Sequence, residues 1–335
     1  MQTRSLGSSS LQLTTVGIGT WAIGGGDWKF GWGPQDESEA ITAIHQGVLD
    51  CGINWIDTAA VYGDGRSEEI VGKALATLPA EQRPLVATKC SRVVQADGNI
   101  TGVLKRESIV NECEASLRRL NIDVIDLYQL HWPDPEAHIE EGWQTLVDLK
   151  KQGKIREIGV SNHSPGQLDR LRPIHPVASL QPPYSMITQQ IEAQTLPYCK
   201  QHQIGIICYS PMGKGLLTGA FDRTRAEALP QSDHRSRDPK FQEPLLGINL
   251  HLVEGLRDIA ARQQRPLAQL AIAWCLRKPE VTSAIVGARN PNQIKGTAPA
   301  GDWLLQNEEI EEIDRLLTER EVAIQQLGPI DTGRV

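Results

Sequence analysis

Val124-Ile-Asp-Leu-Tyr-Gln-Leu-His131-Trp-Pro, an amphipathic stretch over 135–152, and Ile155-Arg-Glu-Ile-Gly-Val160 follow one another in the middle of the chain. Residues 124–129 and 155–160 are short apolar runs, the pattern of buried strands, and the stretch between them has helical periodicity. A strand, a helix and a second strand form a parallel crossover unit. Outward from this unit the pattern repeats. Strands are expected at 15–19, 53–56, 85–88, 177–181, 204–209 and 282–286. Helices are expected at 36–51, 67–78, 106–120, 165–171, 188–203 and 252–277, the last broken near Pro266, with another opening near Pro291. An open doubly wound sheet and a closed barrel both accommodate such a pattern. Eight units fill the chain with no linker rich in Pro, Gly or Ser, so the expected fold is α/β, a single (β/α)8 TIM barrel domain over 1–335. Residues 4–6 and 11–13 read as an N-terminal β-hairpin that plugs the barrel floor. Residues 222–240 read as a long polar loop, and 307–318 as an extra C-terminal helix.

Composition narrows the functional classes. The 335 residues are 40% hydrophobic and 22% charged, enough apolar material for a core. Lys and Arg number 34 against 41 Asp and Glu, a net charge of −7, which argues against a nucleic-acid partner. No run of 18 apolar residues is present to cross a membrane, and Met1-Gln-Thr-Arg-Ser-Leu has no apolar signal segment. The six cysteines form no CxxC pair and have no histidine at zinc spacing, so buried reduced thiols in a cytoplasmic protein, and no metal, are expected.

Gly17-Ile-Gly19-Thr-Trp-Ala22 fits the G-x-G-x-x-A dinucleotide turn. That turn must open a helix whose N-terminus holds the pyrophosphate. Here the chain continues Ile-Gly24-Gly-Gly26, a poor helix former, so a loop carrying Trp21, Trp28 and Trp32 is expected instead. In a barrel of this kind the reactive groups gather where strands end. Asp57 ends the second strand with Tyr62 just beyond it, Lys89 ends the third, and His131 ends the fourth. Four polar groups on consecutive units therefore converge on one mouth.

The motifs around them are Gly52-x-Asn-x-x-Asp-Thr-x-x-x-Tyr62, Ala87-Thr-Lys89, Asp126-Leu-Tyr-Gln-Leu-His-Trp-Pro-Asp134, Ile158-Gly-Val-Ser-Asn162 and Tyr209-Ser-Pro-Met-Gly213. By these the chain resembles the aldo-keto reductases from about Leu6 to Leu317. Gly63-Asp-Gly-Arg-Ser-Glu-Glu-Ile-Val-Gly-Lys-Ala-Leu75 and Lys214-Gly-Leu-Leu-Thr-Gly219 are similar to the bacterial branch that also resembles potassium-channel β subunits. The resemblance implies a catalytic tetrad of Asp57, Tyr62, Lys89 and His131 and a nicotinamide cofactor, NADPH (NADP+). It implies reduction of a small carbonyl substrate, with Tyr62 as general acid and transfer of the 4-pro-R hydrogen.

The same resemblance implies the cofactor contacts. Ser161, Asn162 and Gln181 would hold the carboxamide, and Tyr209 would cover one ring face. Ser210, Pro211, Met212, Gly213, Lys214 and Gly215 would line the pyrophosphate, with Thr20, Trp21 and Asp57 also on the cofactor side. Gly287, Arg289 and Gln293 would meet the 2′-phosphate end, whereas Gly296-Thr297 depart from the family's usual Glu-Asn. The loop over 222–240 resembles segments that fold over the dinucleotide. Trp21, Trp28, Trp32 and Trp132 are candidates for an apolar substrate wall, while Trp55, Trp143 and Trp274 are expected to pack internally. Two other readings stand beside the reductase: a nicotinamide-sensing subunit with slow chemistry, and a Schiff-base enzyme using Lys89. Oligomeric state is left open.

Overall fold

The structure, a computed structural model, describes residues 1–26, 28 and 30–329. It opens with an antiparallel hairpin of β1 (Thr3–Ser5) and β2 (Gln12–Thr14). The barrel strands are β3 (Val16–Gly19), β4 (Trp55–Asp57), β5 (Leu85–Cys90), β8 (Ile125–Leu130), β9 (Ile155–Ser161), β10 (Ser179–Gln181), β11 (Gly205–Cys208) and β12 (Val281–Gly287). They pair in parallel, each with the next in the chain, and β12 closes on β3. The expected (β/α)8 barrel is the observed one. Between β5 and β8 lies a second antiparallel hairpin, β6 (Arg92–Val94) and β7 (Ile100–Gly102), which the sequence reading missed.

Helices α1 (Glu37–His45), α2 (Arg66–Thr77), α3 (Arg106–Leu120), α4 (Ile139–Lys151), α5 (Pro165–Leu171) and α6 (Thr195–Gln201) lie on the outside. They are followed by α7 (Arg223–Glu227), α8 (Leu245–Arg262), α9 (Leu267–Leu276), α10 (Pro291–Thr297) and α11 (Asn307–Gln326). The helix expected over 188–203 is confined to α6, preceded by a separate 3-10 turn. Pro197 sits in the first turn of α6, where its missing N–H costs nothing, and its ring opposes extension of the helix toward the N-terminus. The stretch expected over 252–277 is split at Pro266, as expected, into two helices, and the first begins seven residues earlier than expected. Residues 222–240 are not one open loop. Asp222, Asp233 and Asp238 each accept a backbone N–H and start α7 and two 3-10 turns. The C-terminal helix runs eight residues past its expected end.

Two apolar layers hold the barrel. Outside, the helices bury Ile, Leu and Val against the strands in one large cluster. Inside, Trp55, Ala87, Leu127, Ile207 and Ile285 fill the lower barrel, and Leu6, Leu11 and Leu13 of the hairpin cap them from below. The plug expected from 4–6 and 11–13 is present, with its strands one residue from the expected bounds. Gly17 lies beneath the Trp55 indole, where an added Cβ would stand 2.1 Å from the ring. The glycine spacing that mimics a dinucleotide turn is therefore a packing feature of the barrel interior. No described helix is long and apolar enough to cross a membrane.

Candidate active site

The upper end of the barrel brings the four predicted groups together. Asp57 is the last residue of β4 and pairs with Ala87, and Lys89 stands two residues further along β5, opposite Gln129 of β8. The Lys89 Nζ donates to Asp57 Oδ1 at 2.6 Å, to the Thr58 carbonyl at 2.8 Å and to the Tyr62 hydroxyl at 3.3 Å. Lys89 is 1% exposed and Asp57 3%, so the ion pair is shielded from water and from salt. Tyr62 is reached through a tight turn after β4, in which the Tyr62 N–H donates to the Ala59 carbonyl. The His131 ring stands edge-on to Tyr62, 5.8 Å between centroids.

Burial sets the protonation states. It holds the Tyr62 hydroxyl well above the ordinary tyrosine value, and the Asp57 charge adds to the effect. Desolvation lowers the Lys89 ammonium, while Asp57 and Glu68 push back toward the charged form. Burial, followed by the charges of Lys89 and Arg92, keeps His131 well below the usual histidine range and hence neutral. The site thus presents a neutral phenol and a neutral imidazole, both able to donate, around one fixed cation.

The residues expected at a carboxamide are already hydrogen-bonded to one another. The Ser161 hydroxyl and Asn162 N–H donate to the Gln181 carbonyl at 2.8 and 3.1 Å, and the Tyr209 hydroxyl donates to Asn162 Oδ1 at 2.9 Å. Gln181 Nε2 donates to Asp57 Oδ2 at 2.8 Å, which ties this group to the tetrad, a link the sequence did not signal. Ser210, Gly213 and Lys214 line a groove with Pro183, Tyr184, Ser185 and Lys240. Gly213, Lys214 and Gly215 all take positive φ, so the backbone coils tightly there, and Lys214 pairs with buried Asp238 at 2.8 Å. Pro211 and Met212 complete this turn, in which Gly215 and Leu217 N–H donate to the Met212 carbonyl. Two lysines beside a coiled backbone suit the phosphates of a dinucleotide.

Thr20 is buried, its hydroxyl donating to the Asp57 carbonyl at 3.0 Å. Trp21 lies near-parallel to Tyr62 with 5.9 Å between centroids, and Trp28 is 6.0 Å from Tyr62. Trp32 is 6.5 Å from Trp21, but no ring contact joins Trp132 to this group among the described residues. Val94 and Ile100 of the second hairpin pack against the same cluster, a pair of pocket residues the sequence reading did not find. The Asp97-Gly98 pair between alternating apolar positions was the available signal. Trp55, Trp143 and Trp274 are buried, as expected.

At the far end Gly287 closes β12, and Asn290 caps α10 with Pro291 in its first turn. The Arg289 guanidinium is occupied: it donates to Gln35 Oε1 at 2.8 Å, to the Trp32 carbonyl at 3.1 Å and to the Pro34 carbonyl. Gln293 Oε1 accepts the Arg289 backbone N–H at 2.7 Å.

A parallel eightfold barrel thus gathers Asp57, Tyr62, Lys89 and His131 at its strand ends, the first three buried and His131 partly so. The sequence profile described as Aldo/keto reductase family matches residues 15–318, and the chain belongs to that family. It is 38% identical to aldo-keto reductase YhdN of Bacillus subtilis (strain 168), over 95% of this chain and 94% of that protein. It is 35% identical to an NADH-specific methylglyoxal reductase of Escherichia coli (strain K12), over 88% of this chain and 92% of that one. Among solved structures, the glycerol dehydrogenase of Gluconobacter oxydans superposes with a TM-score of 0.86 at 37% identity, covering 99% of this chain and 98% of that one.

Proposed function

We propose that the protein reduces small aldehydes and ketones to alcohols with a nicotinamide cofactor, Tyr62 giving the proton. The observation that carries this reading is the buried Lys89 ammonium, fixed by Asp57 and donating to the Tyr62 hydroxyl. A carbonyl oxygen gains negative charge as its carbon is reduced and needs a proton there. Tyr62, kept neutral by burial, has one to give. The Lys89 N–H then stabilises the phenolate as it forms, and Asp57 keeps that ammonium in place. Neutral His131 donates to the same carbonyl oxygen and orients it. When bound, the reduced nicotinamide supplies the hydride. Ser161, Asn162 and Gln181 would hold its carboxamide, Tyr209 would cover one face of its ring, and the 210–215 turn would take the pyrophosphate. Methylglyoxal, the aldehyde in the name of the Escherichia coli relative, is of the proposed substrate class. That relative is NADH-specific; for this chain we assign NADPH, with Arg289 as the cation for the 2′-phosphate. The test is Tyr62→Phe, expected to lower NADPH-dependent reduction of an aldehyde panel by at least ~10²-fold, with cofactor binding by tryptophan quenching unchanged. Near-normal turnover in this variant overturns the reading.

A further inference from the structure

Two segments far apart in sequence meet above Tyr62. Trp21 opens the short turn after β3, Trp32 lies eleven residues further on, and His234 begins a 3-10 turn within 222–240. His234 lies near-parallel to Trp21, 5.6 Å between centroids at 15°. It is also near-parallel to Trp32, at 19° with 5.9 Å between centroids, and the Trp32 Nε1–H donates to His234 Nδ1 at 2.8 Å. The Arg235 guanidinium stands 4.5 Å from the Trp32 ring centroid, and Arg289 donates to the Trp32 carbonyl at 3.1 Å. The contact from His234 through Trp21 to Tyr62 therefore joins the segment beside the Lys214 groove to the proposed proton donor.

The chemistry of that contact admits only one form of histidine. An indole N–H can only donate, so Nδ1 must carry a lone pair and the ring proton sits on Nε2. A second proton would set N–H against N–H and break the tie. The charged groups around the ring are Lys214 and Arg235, which oppose protonation, and Asp233 and Asp238, which favour it.

We propose that His234 is a positioning residue: as a neutral ring it ties the 222–240 segment to the Trp21–Trp32 loop and so sets the wall of the substrate pocket against Tyr62. The inference rests on the carbonyl-reductase reading above. Burial, and then Lys214, pull the tied ring down to about 4 from the ordinary 6.5. A released ring binds a proton more readily, so the tie is fully present above about pH 6.5 and is lost as pH falls toward about 4.

The experiment measures KM and kcat for an aldehyde from pH 4.5 to 8, with NADPH saturating, in the wild type and three variants. In the wild type KM is expected to rise as the pH falls, with kcat changing less. His234→Ala is expected to raise KM at pH 7.5 by up to about tenfold, the scale of one lost hydrogen bond, and to show no further rise in acid. His234→Asn keeps an acceptor for Trp32 without titrating. It is expected to restore KM at pH 7.5 and to stay flat in acid, which a misfolded variant would not do. Tyr62→Phe is run alongside. An inactive Tyr62→Phe with a His234→Ala KM within twofold of wild type, or with the acid rise persisting in His234→Asn, overturns the role of His234 alone. An active Tyr62→Phe overturns the reductase reading on which it rests.

Discussion

The Lys89 ammonium meets three oxygens inside a dry barrel, and its removal has two separable consequences. Lys89→Met leaves the buried Asp57 carboxylate with Gln181 Nε2 as its remaining side-chain donor. Stranding a buried charge costs about 3–5 kcal/mol, so the variant is expected to unfold at lower urea as well as to lose at least ~10²-fold in turnover. Asp57→Asn added to it removes the stranded charge. The double variant is therefore expected to regain most of the lost stability and none of the activity. Urea midpoints and aldehyde turnover on the three proteins check this, and a double variant as unstable as Lys89→Met would show that Asp57 tolerates isolation. The meeting of the four groups was legible in the sequence because each stands at or just past a strand end, and the barrel geometry makes strand ends neighbours. The Gln181–Asp57 bond and the Trp32–His234 bond were not, since they depend on side-chain directions and on loops about 200 residues apart that no local pattern relates.

At the scale of elements, Arg289 belongs to two structures at once. It stands between β12 and α10, yet its guanidinium holds Gln35 and the Trp32–Pro34 backbone of the loop after β3. A 2′-phosphate must compete with those carbonyls, so the net preference for NADPH is expected to be nearer ten- than hundredfold, the worth of about 1.5 kcal/mol. Arg289→Ala is expected to abolish the preference and also to raise aldehyde KM, because the Trp32 loop loses its anchor; dissociation constants for both cofactors and a KM series measure this. An unchanged NADPH to NADH ratio would make Arg289 a loop anchor only. On α3, Glu112 accepts from the Ser91 N–H at 2.9 Å and from the Ser108 hydroxyl at 3.0 Å, and burial raises its carboxyl to about 7. The folded protein thus keeps a proton that the unfolded chain releases above about 4.5, and stability falls as pH rises from 4.5 to 7. Glu112→Gln is expected to gain about 1–3 kcal/mol at pH 8 and nothing at pH 4.5, read from urea unfolding at both. The second hairpin lay within reach of sequence reasoning through Asp97-Gly98. The π turn (Gln46–Asp50) that ends α1 was hidden, because residues 36–51 keep one helical periodicity throughout.

Across the whole molecule, the barrel separates the work of its two ends. The strand-end groups lie at one end, and Leu6, Leu11 and Leu13 seal the other beneath Trp55, Leu127 and Ile207. The plug was legible because Leu6 on one side and the alternating Leu11 and Leu13 on the other flank Gly-Ser-Ser-Ser ahead of the first barrel strand. The tight fit of Gly17 against the Trp55 indole was not, since glycine spacing alone suggests a phosphate turn equally well. Leu6 is fully buried, and the hairpin around it offers little backbone that can collapse into a void, because a Cβ added at Gly7 would already stand 2.5 Å from the Gln203 carbonyl oxygen and the Gly205 nitrogen. Leu6→Ala is therefore expected to cost about 2–5 kcal/mol, the range for a cavity in a packed core. Leu304, 66% exposed, serves as the control, and Leu304→Ala is expected to change stability by less than about 0.5 kcal/mol. Because Leu6 sits at the hairpin end of the barrel, in a cluster that does not include Tyr62, the folded Leu6→Ala protein at 25 °C is expected to keep its kcat and KM within about twofold. Equilibrium unfolding and steady-state rates on the same preparations decide the matter: a stable Leu6→Ala would show that the hairpin merely rests on the barrel, and a collapsed kcat at full folding would show that the floor and the mouth are coupled.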